Sequence, residues 1–208
     1  MNVRIPKQAR SSEGLERMLS AAEEVFAEKD YSAATLTEIA SRAGYTVGAF
    51  YARFSDKAAL LSTLEERIYR TVEQILDART ANLSTGQVTP AGFLREAVED
   101  TVAVYRRHRG ALRALTAQAR DDRELRERMR QVNATTIERF AQALLAHPGS
   151  VRHPRPDVAV EFALVLIGCT LRETILFSEG WAGPQPIDDA TLIEELSRSV
   201  IAYLGLRE

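Results

Sequence analysis

The sequence predicts an all-α protein, and three observations predict it. Apolar residues recur three and four apart through nearly every segment, the period of one face of a helix. No stretch alternates apolar and polar residues with the period of a strand. Glycine and proline cluster between the periodic stretches rather than inside them, most densely over residues 82–90, 147–156 and 180–186. About nine helices fit into the 208 residues, which is enough chain for one or two domains.

Residues 1–10 carry Arg4, Lys7 and Arg10 and no acid, and read as a short basic arm or a frayed terminus. The first helix is expected over 12–29, where Leu15, Met18, Leu19, Ala22, Val25 and Phe26 make one stripe. Asp30, Tyr31 and Ser32 turn the chain. A second, short helix is expected over 36–43 with Leu36, Ile39, Ala40 and Ala43 on one face. Thr35 precedes it and Glu38 follows three residues on, the spacing of a capping box that satisfies amides at a helix start. Gly44 stands where a left-handed C-cap favours a residue without a Cβ. A third helix is expected over 47–54, with Thr46 as N-cap and Ala43, Val47, Phe50 and Phe54 facing inward.

A helix, a short glycine-containing turn and a second helix make the layout of a DNA-binding helix-turn-helix. An α-helix fits the major groove, and residues near its N-terminus can reach base edges. Here those residues are Thr46, Val47, Gly48 and Ala49, small enough for close approach of the backbone, with Tyr51 and Arg53 reaching further. Ser55, Asp56 and Lys57 open a fourth helix whose first turn would offer amides and one cation to a phosphate.

The fourth helix is expected over 56–79, with a stripe of Leu60, Leu61, Leu64, Ile68, Val72, Ile75 and Leu76. At ~1.5 Å per residue it would be roughly 35 Å long, a lever from the reading end into the rest of the chain. Further helices are expected over 91–107, 110–120, 123–146, 157–178 and 188–204.

The run from Thr35 to Leu60 resembles the TetR family of bacterial transcriptional regulators. The resemblance rests on Thr35-Leu36-Thr37, Ile39-Ala40 and Ala43-Gly44, then Gly48, Phe50-Tyr51, Phe54, Lys57 and Leu60, at unbroken spacing. It departs at Tyr45, where a small aliphatic residue is usual, and at Ala52, often larger and polar. The resemblance implies a DNA-binding domain over 1–57 and a helical ligand-binding and dimerisation domain over 58–208. It implies contacts to double-stranded DNA from Thr37, Thr46, Val47, Gly48, Ala49, Tyr51, Arg53 and Lys57. Thr37, Thr46, Tyr51 and Lys57 would hold phosphates, and the others would lie nearest the bases of a near-palindromic operator.

The resemblance also implies a cavity for a small apolar or amphipathic effector between helices four to eight. Tyr105, Met129, Asn133, Phe162, Cys169 and Arg172 are candidate lining residues, because they set a few polar groups among bulky ones, as a ligand site requires. Each of them is also explicable as ordinary core or surface. A homodimer is implied through the last two long helices, with Val165, Gly168, Leu196, Val200 and Tyr203 in the interface. The eighth helix is apolar nearly all round, so it should be buried on more than one side. Gly168 in its interior suggests close approach of another backbone. The same two helices could instead be the core of a monomer.

Composition bounds the rest. A net charge of −2 gives no support to wholesale nucleic-acid binding, but a specific reader needs only a local basic surface. One cysteine excludes an intrachain disulfide and fits a reducing cytoplasm. No signal-peptide pattern is visible, and the longest apolar run, 162–171, is short of the ~20 residues of a membrane span. His108, His147 and His153 have no metal-ligand spacing, and no phosphate loop or nucleophile elbow occurs, so neither cofactor nor metal is expected and an enzyme is not. The function expected is a ligand-responsive DNA-binding regulator, a repressor released from its operator by the effector. The alternative is a helical small-molecule-binding or protein-interaction module whose helix-turn-helix does not read DNA.

Overall fold

The computed structural model describes residues 7–177 and 187–207, and among these the chain is helical with no strand. Its helices are α1 (Lys7–Glu28), α2 (Leu36–Arg42), α3 (Val47–Tyr51), α4 (Lys57–Ser84), α5 (Pro90–Arg107), α6 (Arg109–Gln118), α7 (Arg123–Leu145), α8 (Pro156–Leu171) and α9 (Asp189–Leu204). A single π-helical turn, Arg172–Leu176, continues α8. Helix α1 begins at Lys7 rather than near Ser12, so the last part of the expected arm is helical. Arg4 and the loop expected over 180–186 lie outside the described residues. Helix α3 is shorter than expected, and α4 is longer, because the turn expected from residue 82 starts only after Ser84.

The chain packs as two compact units. The first comprises Met1–Arg67 with His108–Asp121, and so takes in α6 and the start of α4 as well as the helix-turn-helix. Its core is made by Met18, Leu19, Ala22, Val25 and Phe26 of α1 with Ile39, Ala40, Phe50, Phe54, Leu60 and Leu64, all buried. These are the inward positions the 3.6-residue period selects, except that Leu15, Leu36 and Val47 are only half-buried.

Helix α6 lies against α1 at very short range. A Cβ on Gly110 would stand 2.4 Å from the Glu23 carbonyl oxygen and 2.6 Å from the Ala27 nitrogen. Only glycine permits that approach. Beside it His108, buried at the start of α6, places Nδ1 2.5 Å from Glu23 Oε1. The other carboxylate oxygen of Glu23 receives Arg67 Nη2 at 2.7 Å. Burial alone would raise the Glu23 carboxyl, but the His108 hydrogen bond and the Arg67 charge outweigh it and hold the group below the usual carboxylate range.

The second unit comprises Ile68–Arg107 and Asp122–Glu208. Helix α5 packs on α9 and α8, and α8 packs on α7 and α9. Phe93 of α5 stacks on Phe140 of α7 with ring centroids 4.5 Å apart. Arg79 of α4 is clamped by Glu96 and Asp100 of α5, each at 2.7 Å. Arg106 at the end of α5 reaches Asp189 at the start of α9 at 2.6 Å.

Candidate nucleic-acid interface

Two capped helix starts build the candidate reading head. Thr35 Oγ1 accepts the Glu38 amide at 3.2 Å and Thr46 Oγ1 accepts the Ala49 amide at 3.2 Å, so each short helix has an orphan donor satisfied by its own N-cap. The first is half of a capping box. The Glu38 carboxylate does not complete it but takes Lys29 Nζ at 2.7 Å. Between the helices Gly44 adopts a left-handed backbone at φ 76°, and the Tyr45 amide donates to the Ala40 carbonyl at 2.9 Å. Phe50 and Phe54, 5.1 Å apart, anchor α3 from beneath.

With Phe50 inward, the opposite face of α3 is left open. Thr46, Gly48, Ala49, Tyr51 and Arg53 are exposed, as is Thr37 on α2, while Val47 is half-buried. Tyr51 keeps 54% of its surface. The helix stops at Tyr51 because the Arg53 amide turns to the Phe50 carbonyl, which tightens the last turn before Asp56 starts α4. Asp56 Oδ1 takes the Ala59 amide at 2.7 Å.

Lys57 is not placed as expected. Its ammonium donates to the carbonyls of Tyr31 at 2.5 Å and Ala34 at 2.8 Å, with Ser32 at 3.5 Å and the Tyr31 ring beneath it at 4.3 Å. An ammonium has three donors, and all three point at the turn before α2. Burial lowers its pKa accordingly. Asp56 occupies one of the amides at the start of α4 as well.

In the second unit the structure brings together three of the six candidate effector residues. Arg172 Nη2 lies 3.8 Å from Cys169 Sγ. Burial raises the pKa of Tyr105, and the Arg172 charge pulls it down while Cys169 pushes it up, so all three share one neighbourhood. Met129 is half-buried and Asn133 exposed, both on α7. Phe162 is exposed and faces outward with Val165, against the expectation of a lining residue. Leu196 and Val200 also depart from expectation. Both are buried within the protomer, because the apolar stripe of α9 turns toward α5 and α8. The outward apolar face is Val158, Phe162, Val165 and Leu166 of α8, with Tyr203 of α9 beside Phe162 at 5.7 Å. A Cβ on Gly168 would meet nothing within 4 Å, so no backbone among the described residues explains that glycine.

Among the described residues no group of His, Cys, Asp or Glu could hold a metal ion, and no helix is long and apolar enough to cross a membrane.

Residues 18–64 match the family model described as bacterial regulatory proteins, tetR family. The HTH-type transcriptional repressor BepR of Brucella suis biovar 1 is 41% identical over 69 residues, 33% of this chain and 33% of that protein. The HTH-type transcriptional regulator TtgR of Pseudomonas putida is 35% identical over 80 residues, 38% of this chain and 37% of that one. The matched stretch thus spans about a third of the length of these relatives. Similarity of fold extends much further. A transcriptional regulator from Aquifex aeolicus VF5 superposes with a TM-score of 0.70 at 20% identity, covering 91% of this chain and 98% of that one. The fatty acid degradation regulator FadR of Bacillus halodurans does so with a TM-score of 0.69 at 18% identity, covering 93% and 97%. Residues 18–64 thus carry the tetR-type N-terminal signature, and the described residues share the fold of these solved structures.

Proposed function

We propose that this protein is a ligand-responsive, DNA-binding transcriptional repressor. The observation that carries the reading is the open face of α3, capped at its start, anchored by Phe50 and Phe54 and carrying Thr46, Gly48, Ala49, Tyr51 and Arg53 at the surface. A helix-turn-helix kept only for packing has no reason to present such a face. The reading head belongs to the first compact unit, residues 1–67 with 108–121, and the effector and dimerisation surfaces belong to the second, 68–107 with 122–208. The match to BepR, itself called a repressor, favours repression.

Two copies would set their α3 helices in successive major grooves, ~34–36 Å apart. The apolar face of α8 supports such a pairing, since Val158, Phe162, Val165 and Leu166 are too many bulky neighbours to leave in water at no cost. The effector is a small amphipathic molecule that meets Tyr105, Cys169 and Arg172. The π turn that begins at Arg172 supports this placing, because such turns recur where a helix serves a site. The effector biases α4, which runs unbroken from Lys57 to Ser84. Coupling of this kind is commonly ~1–3 kcal/mol.

Val47, Gly48, Ala49 and Arg53 lie nearest the bases, while Thr37, Thr46 and Tyr51 hold phosphates. Arg53→Ala is expected to cost roughly 1–3 kcal/mol on the operator and to relax base preference at one position. Selection of bound fragments from a random DNA pool, with wild type and variant in parallel, measures both. Equal loss on all sequences would make Arg53 a phosphate contact, and no enrichment by the wild-type protein would contradict the regulator reading.

A further inference from the structure

Tyr45 stands in the turn of the helix-turn-helix, one residue before the N-cap of α3. Its ring does not lie on the surface of the turn but crosses to α1. A Cβ on Gly14 would stand 2.7 Å from the Tyr45 hydroxyl and 3.5 Å from the ring carbon that bears it. Glycine at 14 is therefore the space the tyrosine occupies. At that end of the ring Arg17 Nη2 donates to the hydroxyl at 2.8 Å, with the guanidinium 5.1 Å from the ring centroid. Arg53 Nη1 comes to 3.8 Å from the same Gly14 position. Arg17 of α1 thus holds the tyrosine, and Arg53 of the reading head ends close to the same glycine.

Arg17 differs from several other arginines of the chain in what it touches. Arg42, Arg67, Arg79, Arg106, Arg130 and Arg198 each bind a carboxylate within 3.0 Å. Arg17 is exposed, and among the described residues its partner is Tyr45, a neutral group. A guanidinium held in place by a ring and a hydroxyl keeps its whole charge and most of its donors for a third party. It stands within one tyrosine's length of the start of α3, where duplex phosphates would pass. Lys57, the cation that the motif offers for this purpose, is occupied by carbonyls of the 31–34 turn.

We propose that Arg17 is a phosphate-binding residue of the DNA interface and that Tyr45 is the positioning residue that holds it there. This rests on the regulator reading and adds to it a contact from α1, outside the helix-turn-helix. Tyr45 then does two jobs with one side chain. It fixes the angle at which α3 leaves the turn, and it stiffens an arginine that would otherwise sample many rotamers.

The test is the salt dependence of binding to a DNA fragment enriched by the wild-type protein, read by fluorescence anisotropy, with the melting temperature of each variant as a control for folding. Each phosphate contact contributes about 0.9 to the slope of log K against log salt. Arg17→Ala should lower the slope by about that amount and weaken binding alike on the enriched fragment and on random DNA, with an unchanged melting temperature. Arg17→Lys should restore the slope. Tyr45→Phe, which keeps the ring and loses the hydroxyl bond, should lose less affinity than Tyr45→Ala, and the double variant Arg17→Ala/Tyr45→Ala should show no slope change beyond that of Arg17→Ala. Wild-type binding with an unchanged slope in Arg17→Ala would overturn the assignment alone. Absence of salt-dependent binding by the wild-type protein would overturn both the assignment and the regulator reading.

Discussion

Glu23 shows how much one side chain can join. It sits on α1, accepts from Arg67 of α4 and faces His108 at the start of α6, 85 positions away in the chain. Because its carboxyl is held low in the folded protein, the sign of its pH dependence is fixed. Its contribution to stability is fully present above its unfolded-state value, about 4.3 for a glutamate, and is lost as pH falls through the lower folded value. Glu23→Gln should therefore melt below the wild type at neutral pH, and the gap should close as the medium is acidified past that range. Thermal melts of both proteins over a pH series measure it, and a gap independent of pH would contradict the assignment of Glu23 as the low carboxylate. Nothing near Glu23 or near His108 in the sequence announces their pairing, since a contact so distant along the chain leaves no local pattern. Lys57 is the same lesson inside a motif. The motif places a lysine at the start of α4, but which group its ammonium meets depends on where the carbonyls of Tyr31 and Ala34 come to lie.

At the scale of elements, periodicity carries far. The inward residues of α1, α2 and α4 were legible because polar residues on their other faces mark the outside. Both N-caps and the Gly44 turn were legible for a similar reason, since cap chemistry is local. Helix α8 was not, because it is apolar on every side and its period cannot separate the packed face of Ala159, Ala163 and Ile167 from the outward face of Phe162 and Val165. Leu196 and Val200 were placed outward for want of the partner helix, α5, that covers them. The contact between α6 and α1 was equally silent, although a glycine beside a histidine at a helix start was its one trace. Gly110→Ala tests that contact. The added methyl would meet backbone of α1, which cannot rotate away, and overpacking of this kind costs about 1–3 kcal/mol. For a chain of this size that is a fall of a few degrees in melting temperature, roughly 2–4 °C per kcal/mol. An unchanged melting temperature would mean that α6 can lift from α1 without loss.

For the whole molecule, the proposed function raises the question of how a reading head of this size would gain specificity. Two heads on a twofold axis double the contacts and fix their spacing. The exposed face of α8 supplies the apolar surface that a second copy would cover. Phe162→Arg, which puts a charge at the middle of that face, is expected to convert a sedimenting dimer to monomer and to weaken operator binding with it. A variant that remains dimeric would place the pairing surface elsewhere. The most direct test of the account is binding of the purified protein to the DNA upstream of its own gene, by fluorescence anisotropy at two salt concentrations with excess random DNA present. The account predicts tight binding that weakens steeply with salt yet survives the competitor. Weak binding erased by random DNA, together with an empty genome-wide selection of bound fragments, would contradict it.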